Sequence, residues 1–103
     1  MINWKIYLAV TFVAGAAMTG VHAQPSDLQA RSMAASCSGC HGTNGAAAPG
    51  MVALAGYDKA SMIKSMADFK SGARSATLMH QMSKGYSEQQ VEAIASYFAA
   101  QKK

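Results

Sequence analysis

Cys37-Ser38-Gly39-Cys40-His41 is the stretch on which the reading of this 103-residue chain turns. Its pattern is Cys-x-x-Cys-His, the attachment site of a c-type haem. Two thiols at this spacing reach the vinyl groups of neighbouring pyrroles and form thioethers, and the next residue aims its imidazole at the iron. Ser38 and Gly39 are small, so the backbone turns close to the porphyrin. Three residues of two rare types fixed within five positions make the signal specific.

Blander readings are weaker. A thioredoxin-like Cys pair needs a strand–helix–strand context, and no strand-like run precedes Cys37. Structural zinc wants four ligands. Past the leader there are two Cys and two His, and His41 is crowded beside Cys40. A disulfide across so short a loop constrains little chain.

The first segment reads as a secretory signal peptide, residues 1–23. Lys5 gives a positive start, and Ile6 to Ala17 is apolar apart from Thr11. Val21-His22-Ala23 is an acceptable small-x-small cleavage site, followed by Gln24-Pro25. Gly15, Thr19 and Gly20 break the run too early for a membrane span; an uncleaved anchor is the alternative. Export to the periplasm agrees with the cysteines, because bacterial haem attachment takes place outside the cytoplasm.

Residues 24–103 are then the mature domain. Its 80 residues are close to the size at which one core is marginal. The aromatics in it are Tyr57, Phe69, Tyr86, Tyr97 and Phe98. A haem is a large, mostly apolar body that helices can wrap, so it supplies the missing core. The net charge is +4, or +3 once Lys5 is lost. No basic patch is interleaved with aromatics, which argues against nucleic acid. Lys59, Lys64, Lys70 and Lys84 read as a solvated face, with partner docking as the other use.

Working outward, Ser26 and Gln29 form a capping-box pattern, so a helix is expected from about Asp27 to Ser36. Leu28, Ala30, Met33 and Ala34 supply its apolar face, with Met33 as packing. Gly42 to Gly56 reads as a loop whose glycines permit close approach to a flat ligand. The carbonyl of Pro49 is a candidate acceptor for the His41 Nδ1–H; an ordinary loop proline is the alternative. Met51, Val52 and Leu54 form a short apolar wall. Asp58 caps a helix over Lys59 to Ser71, ended by Gly72, with Met62, Met66 and Phe69 in a stripe. Met79, His80 and Met82 are three possible iron ligands within four residues. Ser87 and Gln90 box the last helix, and Tyr86 with Val91 makes a hydrophobic staple. The fold class is all-α, about three main helices around one haem.

The order of these features resembles a class I cytochrome c over the whole mature chain. Three strings resemble more narrowly the cytochrome subunit of flavocytochrome c sulfide dehydrogenase, and the first haem domain of related dihaem cytochromes. They are Cys40 to Gly45, Phe69-Lys70-Ser71-Gly72, and Thr77-Leu78-Met79 through Lys84-Gly85-Tyr86-Ser87. The resemblance implies one covalent haem c ligated by His41 and a distal Met, used for one-electron transfer rather than catalysis. It aligns the Met eight residues before Ser87, Met79, with that ligand. It also implies a flavoprotein partner that oxidises sulfide. The single Cys-x-x-Cys-His departs from the dihaem pattern and leaves a free periplasmic shuttle as the alternative. A haem sensor is a third reading, disfavoured by the methionines near position 79. Docking is expected at the haem edge, from Cys37–Cys40 and the Met79–Tyr86 segment, through a mainly apolar interface.

Overall fold

Helix boundaries follow the caps. The computed structural model describes residues 25–103, all helix, turn and loop; the expected signal peptide at 1–23 lies outside the described residues. Helix α1 spans Asp27–Ala35, with Ser26 accepting from the Gln29 N–H. α2 is the single turn Ser38–His41, and Thr43–Gly45 follows as a 3₁₀ turn. α3 spans Lys59–Ser71. α4 is the single turn Met79–Met82, continued by a 3₁₀ turn at Ser83–Gly85. α5 spans Glu88–Ala99.

Asp58 caps α3 by accepting from the Ser61 N–H at 2.8 Å. That backbone bond, with help from the Ser61 side chain, holds its carboxyl below the usual carboxylate range. Gly72 stops α3, as expected. At α5 both halves of the capping box form between Ser87 and Gln90.

The core is small and α5 is its hub. Ala34 of α1, Met62 of α3 and Ile94, Ala95 and Phe98 of α5 form one buried cluster. The alanines let α1 lie close on α5, since no side chain longer than a methyl separates them there. Phe98 is the largest fully buried side chain among the described residues and meets Tyr97 edge to face at 5.3 Å. Met33 and Tyr86 pack at the margin of this cluster, consistent with their reading as packing residues. Two exposed ion pairs, Lys59–Glu92 at 2.9 Å and Lys64–Asp68 at 2.6 Å, add at most about 1 kcal/mol each.

The first two glycines after the motif, Gly42 and Gly45, serve the backbone. Gly45 has φ of +74°, is buried, and its carbonyl accepts from the N–H groups of Leu54 and Ala55. A Cβ there would lie 2.8 Å from Leu54 Cβ and 2.9 Å from both Ala55 N and Phe98 Cδ1. At Gly42 a Cβ would lie 2.6 Å from the carbonyl oxygen of Ala47. Neither of these two lines the cavity described below, whereas Gly50 of the same loop does, so Gly42 and Gly45 serve an approach of chain on chain and Gly50 stands where the approach to a flat ligand is expected. Gly45→Ala combines a left-handed residue with overpacking and is expected to lose about 3 kcal/mol of stability in denaturant unfolding.

Candidate haem site

Helical geometry sets the motif. The His41 N–H donates to the Cys37 carbonyl at 2.9 Å and the Cys40 N–H to the same oxygen at 3.3 Å. Cys37, Cys40 and His41 thus stand at i, i+3 and i+4 of one turn and share a face. All three line one cavity of about 430 Å³. Both cysteines are free thiols. Cys37 is half-buried, and that burial raises its thiol above the ordinary value, against a smaller lowering by the Ser36 hydroxyl.

His41 Nδ1 lies 2.7 Å from the carbonyl oxygen of Val52. A carbonyl only accepts, so Nδ1 carries the proton and Nε2 is left with its lone pair as a metal ligand. The acceptor is therefore Val52 and not Pro49. Pro49 sits at the surface, while Val52 is in the wall beside the imidazole. The bond fixes both the tautomer and the ring's orientation.

The rest of the lining is mainly apolar. Met51, Val52 and Leu54 form one side, as expected. The α3 stripe Met62, Met66 and Phe69 forms another, and Val91, Ile94 and Phe98 of α5 close the base. Tyr86 and Val91, the expected staple, face the same cavity.

The distal segment sorts its three candidates in part. Met79 and Met82 both line the cavity, three residues apart on α4. Met79 is the less exposed, Met82 being 37 % exposed. His80 is not among the lining residues, and its buried Nδ1 has no hydrogen-bond partner.

Two lining residues, Arg74 and Ser36, carried no signal in the sequence, nor did the hydroxyl bond of Tyr86. Arg74 stacks its guanidinium 4.8 Å from the centre of the Phe69 ring and donates to Ser65 Oγ at 3.1 Å. Ser36 and Tyr86 meet across the cavity margin, Oγ to hydroxyl oxygen, at 2.6 Å. Ser36 and Tyr86 are fifty residues apart, and no local pattern announces their contact.

These residues fit a haem. Two thiols, an oriented imidazole and two thioethers line one cavity, and most of the remaining lining is apolar. Among the described residues no three His, Cys, Asp or Glu side chains converge as a metal site. No helix among them is long and apolar enough to cross a membrane.

Comparison with known proteins agrees. The family model for cytochrome c matches residues 28–102. The chain is 33% identical over 89 residues to the cytochrome subunit of sulfide dehydrogenase of Chlorobaculum tepidum, covering 82% of this chain and 81% of that one. It is 35% identical to cytochrome c4 of Pseudomonas aeruginosa, over 92% of this chain but 48% of the relative, so it spans about half of that protein. It is 38% identical over 69 residues to the thiosulfate dehydrogenase electron acceptor of Stutzerimonas stutzeri, 65% of this chain and 32% of the relative. With the match running from α1 past α5 and the motif lining an apolar cavity, the chain belongs to the cytochrome c family, electron carriers with covalently bound haem c.

Proposed function

We propose that this chain is the cytochrome subunit of a sulfide-oxidising flavoenzyme and works in the periplasm. In this reading Cys37 and Cys40 would hold the haem by thioethers, and His41 Nε2 and Met79 would ligate its iron. The haem supplies reversible one-electron chemistry, and imidazole with thioether raises its potential. The protein's own part is positional. Val52 orients His41, the α3 and α5 walls keep water from the ring faces, and α4 presents Met79. The chain itself performs no catalysis.

The oriented His41 and the methionine-bearing turn α4 lining one mainly apolar cavity are the observation that carries the electron-transfer part. Support for the partner is the likeness to a sulfide dehydrogenase cytochrome subunit over four-fifths of both chains. Met51, Val52, Leu78 and Met82 are large apolar residues between 37 % and 59 % exposed, and all border the cavity. An apolar rim of this kind suits a persistent interface more than a salt-sensitive encounter. The free shuttle is the second reading, favoured by the likeness to an electron acceptor of thiosulfate dehydrogenase.

The test mixes the haem-loaded protein with a sulfide-oxidising flavoprotein, adds sulfide, and follows haem reduction beside size exclusion. A stable complex with sulfide-dependent reduction is expected. Slow reduction matching the flavoprotein-free control, with no co-elution, would favour the shuttle.

A further inference from the structure

The segment that carries Met79 has few side-chain bonds of its own, the one to α4 being from the buried Ser83 Oγ to the His80 carbonyl at 3.3 Å. α4 is four residues long, and its N-cap, Leu78, makes no side-chain hydrogen bond. Its exit runs through a 3₁₀ turn to Tyr86, whose N–H reaches Ser83 only at 3.4 Å.

Tyr86 makes the ties that α4 lacks. Its carbonyl accepts from Lys70 Nζ at 2.8 Å, fastening it to the last turn of α3. Its hydroxyl lies 2.6 Å from Ser36 Oγ, beside Cys37. The direction of that bond follows from proton counting. Ser36 has one hydroxyl hydrogen and gives it to the Met33 carbonyl at 2.8 Å. The Ser36 oxygen therefore accepts, and Tyr86 donates.

We infer that Tyr86 is a positioning residue, a latch whose hydroxyl ties the end of the distal segment to the residue before the first haem cysteine and keeps Met79 in place. This rests on the reading that residue 79 is the distal ligand. Opening the distal segment breaks the Tyr86–Ser36 bond, so losing one hydroxyl lowers the barrier to opening. One hydrogen bond of ordinary net strength corresponds to about a three- to tenfold faster opening. Tyr86→Phe keeps the ring against the core and leaves the Ser36 hydrogen satisfied by Met33, so the variant retains its fold.

The test is stopped-flow binding of imidazole to the oxidised, haem-loaded protein. At high imidazole the rate reaches a plateau set by opening of the distal segment. Tyr86→Phe and Ser36→Ala are each expected to raise that plateau about three- to tenfold, and the double variant no further. Tyr97→Phe is the control, since it removes a bond of similar length, 2.8 Å to Asn44 Oδ1, away from α4. Its plateau is expected to match the unaltered protein. Unchanged exchange in Tyr86→Phe, multiplying effects in the double variant, or equal acceleration by Tyr97→Phe would overturn the latch. A rate that never plateaus in the unaltered protein would overturn it too, there being no closed segment to hold. The ligand reading is judged separately, by whether Met79→Ala loses the far-red sulfur-to-iron band, so either idea can fail alone.

Discussion

Met79→Ala, in the haem-loaded protein, is expected to lose the far-red sulfur-to-iron band, to fall in midpoint potential, and to bind carbon monoxide when reduced. The unaltered protein should resist carbon monoxide, because a firmly held thioether fills the sixth position. Both methionines of α4 line the cavity, so the comparison with Met82→Ala decides between them. Met82 is 37 % exposed and belongs to the rim. Its truncation is expected to keep the band and to cost about 1 kcal/mol or less of stability. His80 does not line the cavity and is not expected to replace the lost sulfur in the folded protein. A band lost in Met82→Ala and kept in Met79→Ala would reverse the assignment.

The second large effect is on folding. Cys37→Ser with Cys40→Ser, which prevents covalent attachment, is expected to leave a chain that is largely unfolded and protease-sensitive. The buried cluster holds two alanines, one methionine, one isoleucine and one phenylalanine. Beside it lies the cavity of about 430 Å³. Left unfilled, apolar volume on this scale costs on the order of 10 kcal/mol. Half of that, allowing for the open mouth, still equals the lower end of a small domain's total stability, about 5 kcal/mol. Circular dichroism and limited proteolysis check this. A cooperative, helical double variant would show that the chain folds without the group.

What the sequence disclosed divides along a physical line. Elements with a side-chain signature were legible. Asp58 and Gly72 bound α3, Ser87 and Gln90 open α5, and Met62, Met66 and Phe69 meet at the cavity. Cys37, Cys40 and His41 gather there because one helical turn brings i, i+3 and i+4 together. Interactions through backbone carbonyls were not legible. Val52 rather than Pro49 orients His41, and a carbonyl looks the same in every residue. Of the loop glycines Gly50 lies at the cavity, as read, while only the fold shows that Gly45 packs on Leu54, Ala55 and Phe98. Tyr86 was read as half of a staple from its place before Ser87. Its hydroxyl bond to Ser36 depends on how α1 and the distal segment meet.

The central claim is that one haem, fixed at Cys37, Cys40 and His41 and closed by Met79, carries single electrons. A potentiometric titration of the purified protein, followed by absorption from the visible into the far red, tests it most directly. The account predicts one reversible wave with a one-electron slope, and a far-red band present in the oxidised form that vanishes along that same wave. A protein with no covalent haem spectrum, or one whose far-red band is absent at every potential, would contradict it.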